Sequence, residues 1–175
     1  MPEDPLALDT RRRVYEAVRR APGSGAREVQ RAAGMAWGET NYHLERLVGT
    51  GLLHRESSGH QDHYYTAEVP LGDRRLLALV RSESVRRLIL VLLEDPDRTV
   101  PELMERSALS GGRLSVHLRR LLELGIVRSA RRGRFRTYAV VDRERAIRLL
   151  ITYRAGLSDN WLERLAETWS ELFRA

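Results

Sequence analysis

The stretch NYHLERLVGTGLL, Asn41–Leu53, recurs 74 positions later as SVHLRRLLELGIV, Ser115–Val127. The alignment extends without a gap over residues 11–66 and 85–140, and apolar residues in it mostly match apolar residues. The identical pairs include Pro22/Pro96, His43/His117, Leu44/Leu118, Leu47/Leu121, Gly51/Gly125 and Tyr64/Tyr138. An internal repeat of this kind indicates one structural unit encoded twice, so we predict two copies of one small domain.

Each copy has the pattern of three helices followed by a β-hairpin. In the second copy, SVRRLILVLLED has a helical apolar face, and Thr99 with Glu102 forms a capping box at the start of the next helix. The third helix is predicted to run from Ser110 as N-cap to Gly125. Two β-prone runs then flank a turn predicted at Arg132–Gly133. Three helices and a hairpin predict a winged helix-turn-helix, and a fold class that is mainly α with small β-hairpin wings.

The predicted domain organisation has four parts. Residues 1–70 and 82–141 are the two winged helix-turn-helix domains, and residues 71–81, LGDRRLLALVR, are a helical linker between them. Residues 142–175 are predicted to form a C-terminal helical tail. Its second half has one broad apolar stripe formed by Trp161, Leu162, Leu165, Trp169, Leu172 and Phe173. Such a stripe is costly to leave in water, so it predicts either a homodimer through the tail, which we favour, or docking on the second domain.

The motif HL-xx-L-xxx-G-[LI]-[LV], followed by a basic hairpin, resembles the ArsR- and MarR-like winged-helix regulators. The tandem arrangement, which ends in RAIRLLITYRAGLSDNWLERLAETW, resembles archaeal transcriptional regulators with two helix-turn-helix domains. The resemblance covers nearly the whole chain. It implies DNA binding and transcriptional control, without a particular operator or effector.

The distribution of charge points to one of the two copies as the main nucleic-acid binder. The net charge is +6, and all 30 basic residues are arginine. Residues 1–80 contain 11 arginines and 11 acids, residues 81–141 contain 13 and 7, and residues 142–175 contain 6 and 6. The whole excess therefore lies in the second copy, as expected for a surface that binds phosphates.

Candidate DNA contacts of the second copy follow from its helical and strand periodicity. The residues of its third helix that remain outside the apolar stripe and suit base edges or phosphates are Arg113, Ser115, Val116, Arg119 and Arg120. The wing adds Arg131, Arg132, Arg134 and Arg136. Alternation along a strand predicts that Arg132, Arg134 and Arg136 share one face, which suits a phosphate ridge or a minor groove.

The first copy has a different surface. Its wing, HRESSGHQDHYY, is nearly neutral, and its third helix is predicted to expose Trp37, Gly38, Glu39, Asn41, Tyr42, Glu45 and Arg46. Asn41 suits an adenine edge, and the two aromatic rings suit stacking on sugars or bases or packing inside the domain. We predict a supporting role in DNA binding, or a contact with protein.

Several function classes lack the residues they need. The chain has no cysteine, no phosphate-binding glycine loop and no nucleophile motif, so we predict a protein that is not an enzyme. His54, His60, Asp62 and His63 are suitable metal ligands by type, but no paired ligand motif accompanies them, and we predict no metal or cofactor. No apolar run approaches the roughly 18 residues of a membrane span, which predicts a cytoplasmic, nucleoid-associated protein.

The sequence therefore favours a regulator of transcription that binds double-stranded DNA. In this reading both third helices enter major grooves, and the arginine-rich second wing contacts the backbone or a minor groove. Two alternatives remain open at this stage. One is a chromatin protein that binds all sequences alike, and the other is a tandem winged-helix module that binds proteins.

Overall fold

The computed structural model describes residues 5–58 and 61–157, which form two compact units. The first unit contains the described residues up to Ala78 together with those from Ile151, and the second is Leu79–Leu150. The predicted dimerisation stripe, from Trp161 to Phe173, lies outside the described residues.

The helices and strands repeat with the same offset as the sequence. The first copy contains α1 (Asp9–Arg20), α2 (Ala26–Ala33), α3 (Trp37–Gly49), β1 (Leu53–Ser58), β2 (Gln61–Thr66) and α4 (Leu71–Val80). The second contains α5 (Glu83–Glu94), β3 (Arg98–Thr99), α6 (Val100–Ser107), α7 (Gly111–Glu123), β4 (Val127–Arg132), β5 (Phe135–Val140) and α8 (Arg143–Thr152). The bounds of α1, α2, α3, β1 and β2 fall 74 residues before those of α5, α6, α7, β4 and β5. The prediction of two winged helices is confirmed.

The structure places α4 differently from the predicted linker. Most of α4 belongs to the first unit, where Leu76 and Leu77 are buried. Arg74 forms an ion pair with Glu56 of β1 at 2.9 Å, and its backbone carbonyl accepts a hydrogen bond from the hydroxyl of Tyr65 at 3.0 Å. Because these contacts join α4 to the wing of its own unit, the helix is part of the first domain, and the boundary lies near residue 78 instead of at residue 70.

The two cores use equivalent helices but differ in how deeply the first helix is buried. In the first unit, Val14 and Val18 of α1 pack with Leu44, Leu47 and Leu53. In the second unit, α5 is buried on nearly all sides, and its buried residues are Val85, Arg86, Leu88, Ile89, Leu90, Val91, Leu92 and Leu93. A helix that is apolar all round is typical of a central position in a domain. The prediction of a single apolar face for α5 therefore underestimated how much of this helix is buried.

The second unit has a third strand that the sequence did not predict. In β3, Arg98 pairs with Tyr138 and Thr99 pairs with Thr137, so that the sheet order is β3-β5-β4. The predicted capping box follows directly, because the carboxylate of Glu102 accepts hydrogen bonds from the backbone N–H and the hydroxyl of Thr99, both at 2.7 Å. These bonds, with one from Arg98, lower the pKa of Glu102 to about 2. A two-residue strand is too short to give a periodic signal, which is why it was missed.

Replacing Ala108 with glycine is expected to stabilise the second unit by about 1 kcal/mol, because the left-handed conformation costs a non-glycine residue about this much. Ala108 ends α6 with φ +53°, whereas the equivalent residue after α2 is Gly34 with φ +64°. Urea unfolding, monitored through the hydrogen exchange of α6 and α7 amides, measures the change in the free energy of unfolding of the second unit. The matched control, Gly34→Ala, is expected to destabilise the first unit. If neither substitution changed the stability of its unit, the left-handed conformation would not carry the expected free-energy cost.

Candidate nucleic-acid interface

Helix α7 is fixed to the core along one side and exposes the other. Leu114, Leu118 and Leu121 are buried at one-turn and two-turn spacing. The exposed side carries the five predicted contact residues, Arg113, Ser115, Val116, Arg119 and Arg120. Val116 is 51% exposed, which is a large fraction for a valine side chain. The structure therefore brings these predicted residues together on one exposed surface of α7.

The start of α7 is open. Ser110 lies at the N-cap position, as predicted, but its side chain makes no capping hydrogen bond. The first turn contains no acidic residue, and a Cβ built on Gly112 meets no atom within 4 Å. An uncapped helix start with glycine in its first turn leaves backbone N–H groups accessible and lets another molecule approach closely.

Two histidines lie at equivalent positions of the third helices. His117 Nε2 lies 2.9 Å from the hydroxyl of Ser84 on α5, and His43 of α3 is buried. Burial lowers the pKa of both histidines, and the nearby arginines Arg113 and Arg120 lower that of His117 further. The side chain of His117 therefore joins α7 to α5, whereas the Nδ1 atom of His43 is buried without a hydrogen-bond partner among the described residues.

Acidification is expected to destabilise both units because of these histidines. Their pKa lies below the ordinary value of 6.5 in the folded protein, so the unfolded chain binds more protons once the pH falls below about 6.5. The stability that the neutral histidines contribute is present above that pH and is lost as the pH falls towards the lowered pKa. Urea unfolding at several pH values measures the effect. His43→Leu is expected to flatten the profile, and the exposed His54→Ala is the control that leaves it unchanged.

The second wing presents its arginines on two faces instead of one. The register pairs Arg131 with Arg136, and Arg132 with Phe135, so the two-residue turn is Gly133–Arg134. Gly133 has φ +63°, which this tight turn requires. The predicted turn was one residue too early, and the prediction that Arg132, Arg134 and Arg136 share a face is wrong. Directly paired residues point to the same side of a sheet, so Arg131 and Arg136 lie together, opposite Arg132, with Arg134 at the tip.

The wing arginines are available for a ligand. Arg128 approaches Asp97 at 3.8 Å. Within the described parts of the chain, no ion pair involves the four arginines nearest the tip, which are Arg131, Arg132, Arg134 and Arg136. The guanidinium of Arg134 lies 4.9 Å from the ring centre of Phe135, whose side chain is 47% exposed. Sequence reasoning did not single out Phe135, because its exposure depends on the register of the hairpin.

The corresponding surface of the first unit is occupied by its own contacts. The guanidinium of Arg27 stacks 3.9 Å from the ring centre of Trp37, and Glu45 forms an ion pair with Arg55 of β1 at 2.5 Å. Asn41, Tyr42 and Arg46 are exposed, as predicted, and Tyr42 is 56% exposed. The four candidate contact residues of this unit thus lie on the exposed side of α3, together with Glu39 and Glu45, whose exposure was also predicted.

At three equivalent positions the two units carry opposite charges. Glu39 and Glu45 of α3 stand where α7 has Arg113 and Arg119. On the wings, Asp62 stands where the second unit has Arg136. The gapless sequence alignment already shows this inversion, because the offset of 74 residues pairs each of these three acidic residues with an arginine. The exposed side of α3 is therefore less positively charged than that of α7.

The described histidines of the first wing, His54 and His63, do not form part of a cluster that could hold a metal ion. His63 is buried, and its Nδ1 lies 2.8 Å from the carbonyl oxygen of Gly23. Asp62 accepts a hydrogen bond from Ser57 at 2.5 Å, and His60 lies outside the described residues. In the described segments, no three residues of the types His, Cys, Asp and Glu are grouped to hold a metal.

The fold and the exposed third helices define a tandem winged helix-turn-helix protein, and known proteins are similar to both halves. Residues 8–77 match a family described as an N-terminal HTH domain, and residues 83–129 match the family described as bacterial regulatory protein, arsR family. The chain thus carries two HTH domains. Its described helices include none that is long and apolar enough to cross a membrane.

A relative is known among the archaea. The chain is 28% identical over 131 residues to an uncharacterized HTH-type transcriptional regulator of Methanocaldococcus jannaschii. The similar region covers 75% of this chain and 33% of the relative, so the chain spans about a third of the relative's length.

Proposed function

We propose that the protein is a regulator of transcription that binds double-stranded DNA mainly through its second unit. The observation that carries the proposal is the set of exposed arginines on α7 and on the β4–β5 wing, where the four nearest the tip have no acidic partner within the described residues. An arginine cluster next to an exposed recognition helix is the electrostatic footprint of a DNA-binding domain. The two HTH domain matches and the archaeal relative named as a regulator support it.

In the proposed complex α7 enters the major groove. The open start of the helix and the small residue Gly112 allow the backbone to approach the DNA. Ser115 suits a phosphate or a base edge, Val116 suits the methyl group of thymine, and Arg119 suits the O6 and N7 acceptors of guanine. These roles would give the second unit direct contacts with bases.

The wing of the second unit is proposed to bind the DNA backbone or a minor groove. Arginine is favoured in narrow minor grooves, and its planar guanidinium donates two parallel hydrogen bonds to phosphate oxygens. Arg131 and Arg136 lie on one face of the hairpin and Arg132 lies on the other. The tip of the hairpin is therefore expected to insert between the two sugar-phosphate backbones that border a groove. The first unit, through Asn41 and Arg46, is assigned a supporting role.

A homodimer on the DNA completes the proposal. The apolar stripe in the sequence of the tail supports self-association, and helix-turn-helix dimers bind two half-sites about one helical turn apart. Nucleoid association follows if the protein occupies its sites in the cell.

Selection of a genomic DNA pool by the purified protein, with sequencing of the bound fraction at several salt concentrations, tests the proposal. A two-part motif is expected, and Arg119→Ala is expected to relax the preference at one base pair at a cost of about 1 to 3 kcal/mol. Arg148→Ala, an exposed change on α8, is the control. Equal recovery of all sequences would indicate an architectural protein, and no recovery at low salt would overturn DNA binding and favour a protein-interaction module.

A further inference from the structure

Phe135 is an exposed aromatic side chain at the tip of the second wing. It is the first residue of β5, directly after the turn Gly133–Arg134, and it is 47% exposed. The buried part of β5 begins two residues later, at Thr137. The ring therefore lies beyond the part of the strand that packs within its own unit, and the fold leaves it in contact with solvent.

The surroundings of this ring are strongly basic. Residues 131–136 contain four arginines, one glycine and no acidic residue. Arg132 is the direct partner of Phe135 across the hairpin, so these two side chains point to the same face. The guanidinium of Arg134 lies 4.9 Å from the ring centre. An apolar ring in this setting calls for a partner that is anionic and also offers an apolar surface.

Duplex DNA combines these two properties. Its phosphates attract guanidinium groups, and the faces of its base pairs become available to an apolar side chain where two neighbouring pairs unstack. Apolar side chains of minor-groove proteins insert between base pairs in this way, and the duplex then bends toward its major groove. The minor groove is about 6 Å wide, so it admits the tip of a hairpin but not the whole ribbon. Phe135 and Arg134 lie at that tip.

The first wing indicates that the fold does not require an aromatic ring at this position. Gln61, at the start of β2, is the residue equivalent to Phe135, and its Nε2 atom would lie 2.8 Å from a Cβ built on Gly25. Asp62 follows Gln61 where Arg136 follows Phe135. The exposed ring with its basic surroundings is therefore a property of the second wing, next to the exposed arginines of α7.

We propose that Phe135 inserts between two neighbouring base pairs from the minor groove and bends the DNA that the second unit binds. The arginines around the ring bind phosphates on both sides of the groove and hold the tip of the hairpin in place. The proposal rests on the proposed function and deepens it, because a wing that contacted only phosphates would not unstack the bases. Pyrimidine–purine steps unstack most easily, so insertion is expected at these steps.

Energy transfer between fluorescent dyes at the two ends of a duplex measures the bend. A duplex of about 20 base pairs with the repeating sequence CATA has a flexible pyrimidine–purine step at every second position, so the exact position of the bound protein is unimportant. In a second version of the duplex, 2-aminopurine replaces an adenine of the central TA step, and its fluorescence rises when the bases unstack. The full-length protein is titrated into both duplexes at low salt.

The unmodified protein is expected to bend the duplex by at least about 20° and to raise the fluorescence of 2-aminopurine. Phe135→Gln, which gives the second wing the residue of the first, is expected to abolish both signals and to lower affinity about tenfold. Phe135→Leu is expected to retain much of the bend, because leucine also serves as a wedge. The slope of log affinity against log salt is expected to stay the same in both variants, because neither removes a cation.

Leu71→Gln is the matched control, because it removes an exposed apolar side chain from α4. It is expected to leave the bend, the unstacking signal and the affinity unchanged. Circular dichroism and urea unfolding establish whether Phe135→Gln is folded. If that variant fails to fold, the unmodified protein and Phe135→Leu still test the proposal, since a straight duplex in the unmodified complex would overturn it.

The outcomes separate the wedge from the proposed function. If the unmodified protein binds the duplex without bending or unstacking it, or if folded Phe135→Gln bends it equally, the wedge is wrong and DNA binding stands. If a single strand of thymidines binds more tightly than the duplex and Phe135→Gln removes that preference, the ring stacks on unpaired bases and the wedge is again wrong. If the duplex is not bound at low salt, the proposed function fails and the wedge fails with it.

Discussion

Replacing Arg131, Arg132, Arg134 and Arg136 together with alanine is expected to reduce affinity for duplex DNA by about two to three orders of magnitude near physiological salt. Each arginine that neutralises a phosphate releases a condensed counterion, and each such contact contributes about 0.9 to the slope of log affinity against log salt. The loss of four contacts is therefore expected to flatten that slope by about 3 to 4 units. Electrophoretic mobility shift or anisotropy titrations at several salt concentrations measure both quantities.

The matched control removes the same charge from exposed positions on other helices. Arg20, Arg31, Arg75 and Arg148 are all exposed and lie outside α7 and the wing. Their joint replacement with alanine lowers the net charge equally. It is expected to change the slope of log affinity against log salt by less than the contribution of one phosphate contact. If the two quadruple variants behaved alike, affinity would depend on net charge alone, and the wing would have no special role in binding.

The order of helices and strands in this chain was predictable because the sequence signals for it are local and occur in both copies of the repeat. Apolar spacing along α7, the glycine that ends it and the repeat at 74 residues each predict the same helix. The capping box at Thr99 was also predictable, since it depends on two residues three positions apart. The same helix occurs in both copies, although the first copy has Gly25 at the N-cap position that Thr99 occupies in the second.

The features that sequence reasoning missed depend on register or on distant residues. A shift of one residue in the turn moved Arg132 to the opposite face from Arg136, because side chains alternate along a strand. The membership of α4 in the first unit depends on Arg74 reaching Glu56 on β1, 18 positions earlier in the chain. The charge inversion between Glu39 and Arg113 could be detected from the sequence alone. It appears when the polar positions of the two copies, and not only their apolar positions, are compared.

Gly23→Ala is expected to destabilise the first unit by about 3 kcal/mol, the sum of a left-handed conformation and overpacking. Gly23 has φ +84°, and a Cβ at this position would lie 2.8 Å from the backbone nitrogen of Ala78 and 2.9 Å from the carbonyl carbon of Leu77. Backbone atoms of α4 cannot move aside as a flexible side chain does. The glycine is also fixed in place, since its N–H donates to the carbonyl of Tyr64 at 2.8 Å.

The repeat supplies the control that separates the two causes. Asp97 occupies the equivalent position in the second unit with φ +61°, so a positive φ alone is tolerated there by a residue with a Cβ. Asp97→Gly is expected to stabilise the second unit by up to about 1 kcal/mol, because it relieves the strain. Hydrogen exchange measures the stability of each unit separately, through amides of α3 and of α7.

If strain alone governed both positions, Gly23→Asn would be tolerated in the first unit as aspartate is in the second, since asparagine readily adopts positive φ. We expect instead that Gly23→Asn is as damaging as Gly23→Ala, because the close approach of Leu77 and Ala78 excludes any Cβ. The first unit thus depends on a glycine where the turn after α1 packs against the backbone of α4. A loss of hydrogen-exchange protection in α3, with α7 unchanged, is the expected result.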